Sequence, residues 1–293
     1  IPDCSLTVLS HNPASTREKY GVEAVDRMSP MAILRAVKKC DMLISGGGSL
    51  LQDVTSSKSL HYYLSIIRCA EFFHKKVFIY SQGIGPIDRP GNRRAAAAAL
   101  KRADGIVVRD ERSASLLEEI GIARDKVVIT ADPVIRMKKP DGDVGAEILR
   151  KAGVSLDGRL TVGWAIRERD TDSRFVKELL RSIQMMKDKY NAQSVLIPFH
   201  YEEDGEVCRH IAAQLPDDTA VCLNEKYLSE DMLSIIGNMD LLVGVRLHSL
   251  IYAAIMGVPL IGISYDPKCT AFLNSVGLDK LSTKENFTAE LFL

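Results

Sequence analysis

Short apolar runs alternate with longer amphipathic segments along most of the chain, and this alternation predicts its secondary structure. Runs rich in Val, Ile and Leu predict strands at 5–10, 41–45, 76–82, 105–109, 126–130, 160–166, 193–198, 219–223, 239–244 and 259–264. Helical patterning fills the intervals 30–39, 58–74, 93–103, 111–120, 171–190, 202–214, 229–237 and 248–257. Most of the apolar runs are continuous, which is typical of strands buried on both faces of a parallel sheet. The pattern therefore predicts a doubly wound α/β protein.

The alternation pauses once, and this pause suggests a domain boundary. The charged, turn-rich stretch Lys138-Lys-Pro-Asp-Gly-Asp143 is followed by a short helical segment, and a new strand begins at Leu160. We therefore expect two domains, 1–150 and 151–293, each with a Rossmann-like fold. The simplest arrangement of two such domains has them facing each other across a cleft.

Composition and charge narrow the class of protein. Lys+Arg and Asp+Glu each number 38, and the resulting formal net charge of zero argues against a protein that grips nucleic acid through bulk charge. The six cysteines lie far apart and form no CxxC pair, so we expect reduced thiols in a cytoplasmic protein and no metal site. No apolar run approaches the ~18 residues that span a bilayer.

Basic side chains follow several of the predicted strands directly. They are Arg109, Arg167, His200, Arg246, His248 and Lys268. Ligands of open α/β sheets bind beyond the carboxyl ends of the strands. The sequence therefore predicts a local cationic rim, on a neutral protein, that binds a small anion.

The sharpest local pattern is Gly244-Val-Arg-Leu-His-Ser249, which leads from a buried strand into an apolar helix. Arg246 offers a two-pronged contact for phosphate or carboxylate, and His248 can transfer a proton near neutral pH. The structural alternative is that His248 or Ser249 only caps the helix. We favour the functional interpretation, with Lys268 and Arg167 as further cations for the same anion.

Two features of the first half are further candidates for ligand binding. A glycine loop follows the second predicted strand and comprises Gly46, Gly47 and Gly48. This loop either lets backbone N–H groups approach a ligand or is a tight turn. Arg109 lies at a helix start, where the macrodipole disfavours a cation, so we predict a binding role for it. Asp110 is explained as the helix cap, and we expect Asp132-Pro133 to be a structural turn.

Several motifs, taken in order, resemble those of the polysaccharide pyruvyl transferase family. They are Ile44-Ser-Gly-Gly-Gly-Ser-Leu-Leu-Gln-Asp53, Tyr80-Ser-Gln-Gly-Ile-Gly-Pro86, Val108-Arg-Asp-Glu-Arg-Ser113, Thr130-Ala-Asp-Pro133, Gly244-Val-Arg-Leu-His-Ser249, Gly257-Val-Pro259 and Tyr265-Asp-Pro-Lys268. The resemblance implies a fold similar to that of GT-B glycosyltransferases. It also implies phosphoenolpyruvate as co-substrate, with no metal and no cofactor. The family's Arg-Leu-His motif corresponds to Arg246, Leu247 and His248, and its lysine after Asp-Pro to Lys268.

The resemblance further implies a pyruvyltransferase that forms a 4,6-linked ketal on a sugar. Cell-wall members of the family point to N-acetylmannosamine in a lipid-linked secondary cell-wall polysaccharide, which serves to anchor S-layer proteins. Such an acceptor implies a cytoplasmic protein in transient contact with the inner face of the membrane. The alternatives are a nucleotide-sugar-dependent glycosyltransferase of GT-B fold and a non-catalytic, anion-binding relative. Family members begin with a strand and a loop ending in Gly-Asp-Glu, and we expect the N-terminal domain of the sequence given to lack both.

Overall fold

The chain forms two compact units, with the division between Pro133 and Val134. The structure, a computed structural model, describes residues 4–54 and 56–292. Among these residues no helix is long and apolar enough to cross a membrane.

The first unit alternates strands and helices from the start of the described chain. Its elements are β1 (Thr7–Ser10), α1 (Pro13–Tyr20), β2 (Glu23–Asp26), α2 (Pro30–Lys39), β3 (Met42–Gly46), α3 (Ser57–Phe72), β4 (Lys76–Gln82), α4 (Pro90–Leu100), β5 (Gly105–Val108), α5 (Glu111–Glu119) and β6 (Val127–Ile129). β1 pairs in parallel with β2, and β3-β4-β5-β6 form a separate parallel sheet. The carboxyl ends of β3, β4 and β5 therefore lie side by side.

The expectation that strands are buried on both faces is wrong for this four-stranded sheet. One face is covered, and Ile79 and Val108 on it are fully buried. On the other face Met42, Ile44 and Tyr80 keep between 42% and 49% of their surface exposed. Alternate residues of a strand point to opposite faces. Because β3 and β4 have apolar residues on both faces, their sequences do not show which face is exposed.

The second unit contains a larger parallel sheet. Its elements are α6 (Val144–Lys151), β7 (Thr161–Ala165), α7 (Arg174–Tyr190), β8 (Gln193–Leu196), α8 (Tyr201–Gln214), β9 (Ala220–Cys222), α9 (Ser229–Ile236), β10 (Leu241–Gly244), α10 (Leu247–Met256), β11 (Leu260–Ser264), α11 (Pro267–Ser275), β12 (Ser282–Thr283) and α12 (Ala289–Phe292). The strand order is β12-β11-β10-β7-β8-β9. β7 is buried along its whole length, and its Trp164 indole donates to Ser194 Oγ over 3.0 Å. The loops after β8, β7, β10 and β11 thus follow one another along one edge.

The predicted boundary at residue 150 is too late, because α6 belongs to the second unit. Gly145 lies so close to α9 that an added Cβ would sit 2.3 Å from the Ser234 backbone. The Gly145 N–H donates to Ser234 Oγ over 2.8 Å, and Leu149 is fully buried in the core of this unit. The charged stretch 138–143 therefore precedes the first helix of the second unit rather than the last helix of the first.

Candidate functional site

The carboxyl edge of the six-stranded sheet brings together the basic residues predicted in the second half of the chain. Arg167 follows β7, His200 follows β8, Arg246 follows β10, and Lys268 lies in the first turn of α11 after β11. The sheet order places the β7 loop between those of β8 and β10. The predicted rim is therefore one continuous edge in this unit.

Arg246 reaches that edge, but its two-pronged contact is already made within the chain. Its Nε donates to Asp204 Oδ2 over 2.8 Å, and its Nη2 donates to Asp204 Oδ1 over 2.6 Å and to Glu203 over 3.2 Å. Burial opposes the charge, but these bonds outweigh it and raise the pKa of Arg246. The prediction that this fork lies open for substrate needs correction, because Asp204 occupies it.

Asp204 is the residue of the site that the sequence analysis missed. Its side chain is only 1% exposed, and Oδ2 also accepts the His200 N–H over 2.9 Å. One carboxylate therefore ties the loop after β8 to the loop after β10. An acid in the first turn of a helix is a common favourable partner of the helix dipole, so nothing in Glu202-Glu203-Asp204 signals that the third carboxylate is buried.

His248 is not the N-cap residue of its helix. The N-cap of α10 is Arg246, whose side chain makes no capping hydrogen bond. The Ser249 hydroxyl, the other predicted cap, instead donates to the Arg246 carbonyl over 2.6 Å. His248 is exposed in the first helical turn, where a proton-transfer role remains a prediction.

Leu247 was predicted to bind substrate, and the structure shows which residues it packs against within the chain. It is half-buried and packs against a small apolar cluster of Leu250, Cys269 and Leu273. This cluster holds α10 against α11. We therefore interpret Leu247 as an apolar anchor that orients the helix carrying His248.

Arg167 is held by Tyr265, an aromatic residue from the loop after β11. Its Nη1 donates to the Tyr265 hydroxyl, and its guanidinium carbon lies 4.8 Å from the ring centroid. Burial raises the pKa of Tyr265 despite the nearby cation, so the phenol is neutral near pH 7. Neither contact neutralises Arg167, and no carboxylate pairs with it among the described residues.

Lys268 lies beside this pair, in the first turn of α11. Asp266 caps that helix by accepting the Lys268 N–H over 2.9 Å. The Lys268 side chain is half-buried. A cation near a helix N-terminus does not stabilise the helix, because the macrodipole is positive there. The predicted binding role would explain why a lysine occupies this position.

The glycine loop of the first unit combines a tight turn with open space. Gly47 and Gly48 have φ values of 78° and 59°, in the left-handed region that other residues rarely adopt. A Cβ on either would meet no atom within 4 Å, whereas one on Gly46 would lie 3.3 Å from Tyr80. The φ values show the tight turn, in which the Gly47 N–H donates to the Tyr80 carbonyl over 3.3 Å, and approach of the loop to a ligand stays a prediction.

Arg109 was predicted to be a ligand-binding cation, and in the structure it is paired and buried. Its side chain is 6% exposed, and Nη1 donates to Asp132 over 2.6 Å. Its Nη2 donates to Ser49 Oγ over 3.0 Å, which fastens it to the glycine loop. Asp132, expected to be only a turn residue, is therefore its counter-ion. Asp110 caps α5 as predicted, accepting the Ser113 N–H over 2.8 Å.

Gln82 is a further polar residue of this edge that the sequence analysis did not single out. It is fully buried at the end of β4, and its Nε2 donates to Ser45 Oγ over 2.8 Å. Its Oε1 has no hydrogen-bond partner among the described residues. Within the same part of the chain, no group of three or more His, Cys, Asp or Glu side chains is arranged to hold a metal ion.

Comparison with solved structures defines the class of fold. A UDP-GlcNAc 2-epimerase from Methanocaldococcus jannaschii superposes with a TM-score of 0.67 at 14% identity, over 94% of this chain and 79% of the epimerase. HepE from Anabaena, solved in complex with UDP-glucose, gives 0.56 at 11% identity, over 88% and 71% of the two chains. These likenesses show a GT-B-like fold built from Rossmann-like units.

Sequence comparison then places the chain in a family. The profile described as polysaccharide pyruvyl transferase matches residues 1–267, and the chain belongs to that family. The amylovoran biosynthesis protein AmsJ of Erwinia amylovora is 21% identical over 263 residues, which cover 84% of this chain. The chain spans 62% of the length of AmsJ.

Proposed function

We propose that this chain transfers a pyruvyl group from phosphoenolpyruvate to a saccharide as a cyclic ketal, with release of phosphate. One observation carries the proposal: Arg167, His248 and Lys268 lie along one sheet edge in a chain of the polysaccharide pyruvyl transferase family. Phosphoenolpyruvate carries a phosphate and a carboxylate, and a cationic edge with a proton-carrying side chain suits both its charge and its chemistry.

The reaction balances with one acid–base group. His248 donates a proton to the methylene carbon of phosphoenolpyruvate, and the adjacent carbon becomes electrophilic. One sugar hydroxyl attacks that carbon and returns its proton to His248. The carbon–oxygen bond to phosphate then breaks, and the second hydroxyl closes the ring while its proton leaves with the phosphate.

The other residues act on charge and position in this proposal. Arg167 and Lys268 bind the phosphate and carboxylate and stabilise the charge that develops on the leaving group. Asp204 holds Arg246, and through it the turn that presents His248. In the first unit, Arg109 and the glycine loop are proposed to contact donor or acceptor, with the charge of Arg109 balanced by Asp132.

The motif resemblance to cell-wall members supports a finer proposal. We propose that the acceptor is N-acetylmannosamine of a lipid-linked secondary cell-wall polysaccharide. Its modification would provide a ligand for S-layer anchoring. The protein would then work in the cytoplasm and meet its acceptor at the inner face of the membrane.

Phosphate release from phosphoenolpyruvate, measured with a panel of saccharide acceptors, tests the proposal. His248→Ala and His248→Asn should each lower turnover by about 10²–10⁴-fold, with donor affinity retained. His61→Asn, at an exposed position of α3, is the matched control and should leave turnover unchanged. Full turnover in His248→Asn would contradict the acid–base role, and hydrolysis of a nucleotide sugar without use of phosphoenolpyruvate would contradict the proposed reaction.

A further inference from the structure

A second feature of the same sheet edge is a cavity of about 130 Å³ at the carboxyl ends of β8 and β9. The residues that matter for its chemistry are Phe199, His200, Tyr201, Glu202, Lys226 and Tyr227. It lies within the second unit. His200 of the predicted cationic rim lines it, whereas Arg167, His248 and Lys268 do not.

The aromatic walls of this cavity are fixed by contacts outside it. The Phe199 ring lies 5.6 Å from the Tyr252 ring, between centroids. The Tyr201 hydroxyl donates to the Asn224 carbonyl over 2.8 Å. Tyr227 is half-buried beside them. Rings that are held in place lose little entropy when a ligand packs on them, which favours binding.

The polar side chains at the cavity converge on one carboxylate, that of Glu202. Lys226 Nζ lies 2.8 Å from Glu202 Oε1, and His200 Nδ1 lies 3.8 Å from the other oxygen of the same carboxylate. These side chains are more than half exposed, so both donors and acceptors are accessible to a ligand. An ammonium group already balanced by a carboxylate gives little net attraction to a phosphate.

The same edge is therefore divided by charge. The acidic residues 202–204 at the start of α8 are paired with Lys226 and Arg246, so neither of these cations is available to hold an anion at this end of the edge. Arg167, by contrast, is balanced by no carboxylate among the described residues. An anionic donor is directed to the Arg167 side, and the cavity suits a neutral ligand with both hydroxyl groups and an apolar face.

We propose that this cavity is the subsite for an uncharged saccharide ring of the acceptor. The inference rests on the proposed function, and it adds where the sugar binds. The His200 N–H and Arg246 Nε bond to the same oxygen of Asp204, over 2.9 and 2.8 Å, so a single carboxylate separates the cavity from the Arg-Leu-His turn.

Saturation-transfer NMR on the whole chain tests the subsite without phosphoenolpyruvate. The probes are neutral hexoses and N-acetylhexosamines, including N-acetylmannosamine. Uridine, which is a nucleoside and not a simple sugar, is the competitor. We expect saturation transfer to at least one sugar and no competition by uridine. Lys226→Gln and Glu202→Gln should each weaken sugar binding about tenfold, as expected when one hydrogen-bonded contact is lost.

The control for these variants is Lys76→Gln, which removes an equally exposed lysine from a 2.7 Å ion pair with Asp104. Tyr227→Ala should abolish sugar binding, and the exposed variants keep the test valid if Tyr227→Ala fails to fold. Sugar binding that is unchanged in all three cavity variants would overturn the proposal. The proposal would also be overturned if no sugar showed saturation transfer, or if uridine displaced the sugar.

Failure of the proposed subsite and failure of the proposed reaction give different results. If a sugar binds in the cavity and no saccharide elicits phosphate release from phosphoenolpyruvate, the subsite stands and the proposed reaction is wrong. If phosphate is released at parental rates and acceptor KM values in all three cavity variants, the reaction stands and the subsite is wrong.

Discussion

Removal of the Asp204 carboxylate should be among the most costly single changes in the second unit. Asp204→Ala deletes the acceptor of two Arg246 bonds and of the His200 N–H. The Asp204 side chain is 1% exposed and that of Arg246 is 17% exposed, so water replaces the lost partner poorly.

The size of the effect follows from this burial. Breaking a buried ion pair from one side costs about 3–5 kcal/mol, because the remaining charge is left uncompensated. Arg246 retains Glu203 at 3.2 Å, which favours the lower end of that range. For a unit of this size, about 3 kcal/mol corresponds to a fall in Tm of roughly 6–12 °C.

A single tryptophan makes the measurement specific. Trp164 is the only tryptophan of the chain and is fully buried in β7, so its fluorescence during urea denaturation reports unfolding of the second unit. Glu203→Ala is the control, since its side chain is 34% exposed and its contact with Arg246 is longer. It should cost less than about 1 kcal/mol.

Two results would refute this reasoning about Asp204. One is a free energy of unfolding for Asp204→Ala within about 1 kcal/mol of the parent, which is the value of an exposed pair. The other is an equal loss in Glu203→Ala. The double variant Asp204→Leu with Arg246→Met should recover most of the stability, because it leaves no unpaired charge.

Three further predictions test other parts of the structure. A Cβ at Gly83 would lie 2.7 Å from Arg109 Nη2, so Gly83→Ala should displace that guanidinium. Calorimetric titration with phosphoenolpyruvate and with a saccharide acceptor should then show weaker binding of at least one of them, whereas Gly91→Ala, in open space, should leave both unchanged. Burial alone would raise the pKa of Asp53, but hydrogen bonds from the start of α4 lower it. The stability advantage of the parent over Asp53→Asn should therefore be complete above about pH 5 and disappear as the pH falls through the lowered pKa, as urea titrations at each pH will show. Gly145→Ala places a Cβ 2.3 Å from the α9 backbone and should lower the Tm of the Trp164-reported transition, whereas an unchanged Tm would argue against the close packing of α6 on α9.

Much of the fold was predictable because its strands are short, apolar and regularly spaced. Each strand from β7 to β11 lies within a predicted run. β2 (Glu23–Asp26) and β12 (Ser282–Thr283) were missed, since neither has enough apolar residues to form a run. α1 was missed for a related reason: none of its residues is buried, so it has no apolar face for a periodic pattern to reveal.

The places of the candidate residues at the strand ends were predictable, and their contacts only partly. Arg167, Arg246 and Arg109 could be identified because each directly follows a strand. Their partners lie 98, 42 and 23 residues away in the chain, and pairing at such separations leaves no local pattern. Tyr265 and Asp204 were therefore invisible as partners, although both decide how much charge an arginine presents to a ligand.

Because His200 and Arg246 share one oxygen of Asp204, ligand binding at the loop after β8 is energetically coupled to ligand binding at the loop after β10. A ligand that shifts the His200 backbone changes an acceptor on which Arg246 depends, and a ligand that draws on Arg246 changes the acceptor of the His200 N–H. Linkage requires the two free-energy changes to be equal. Saturating either loop with its ligand would then alter the Kd at the other by the same factor, and this cooperativity would arise inside one unit without any domain motion.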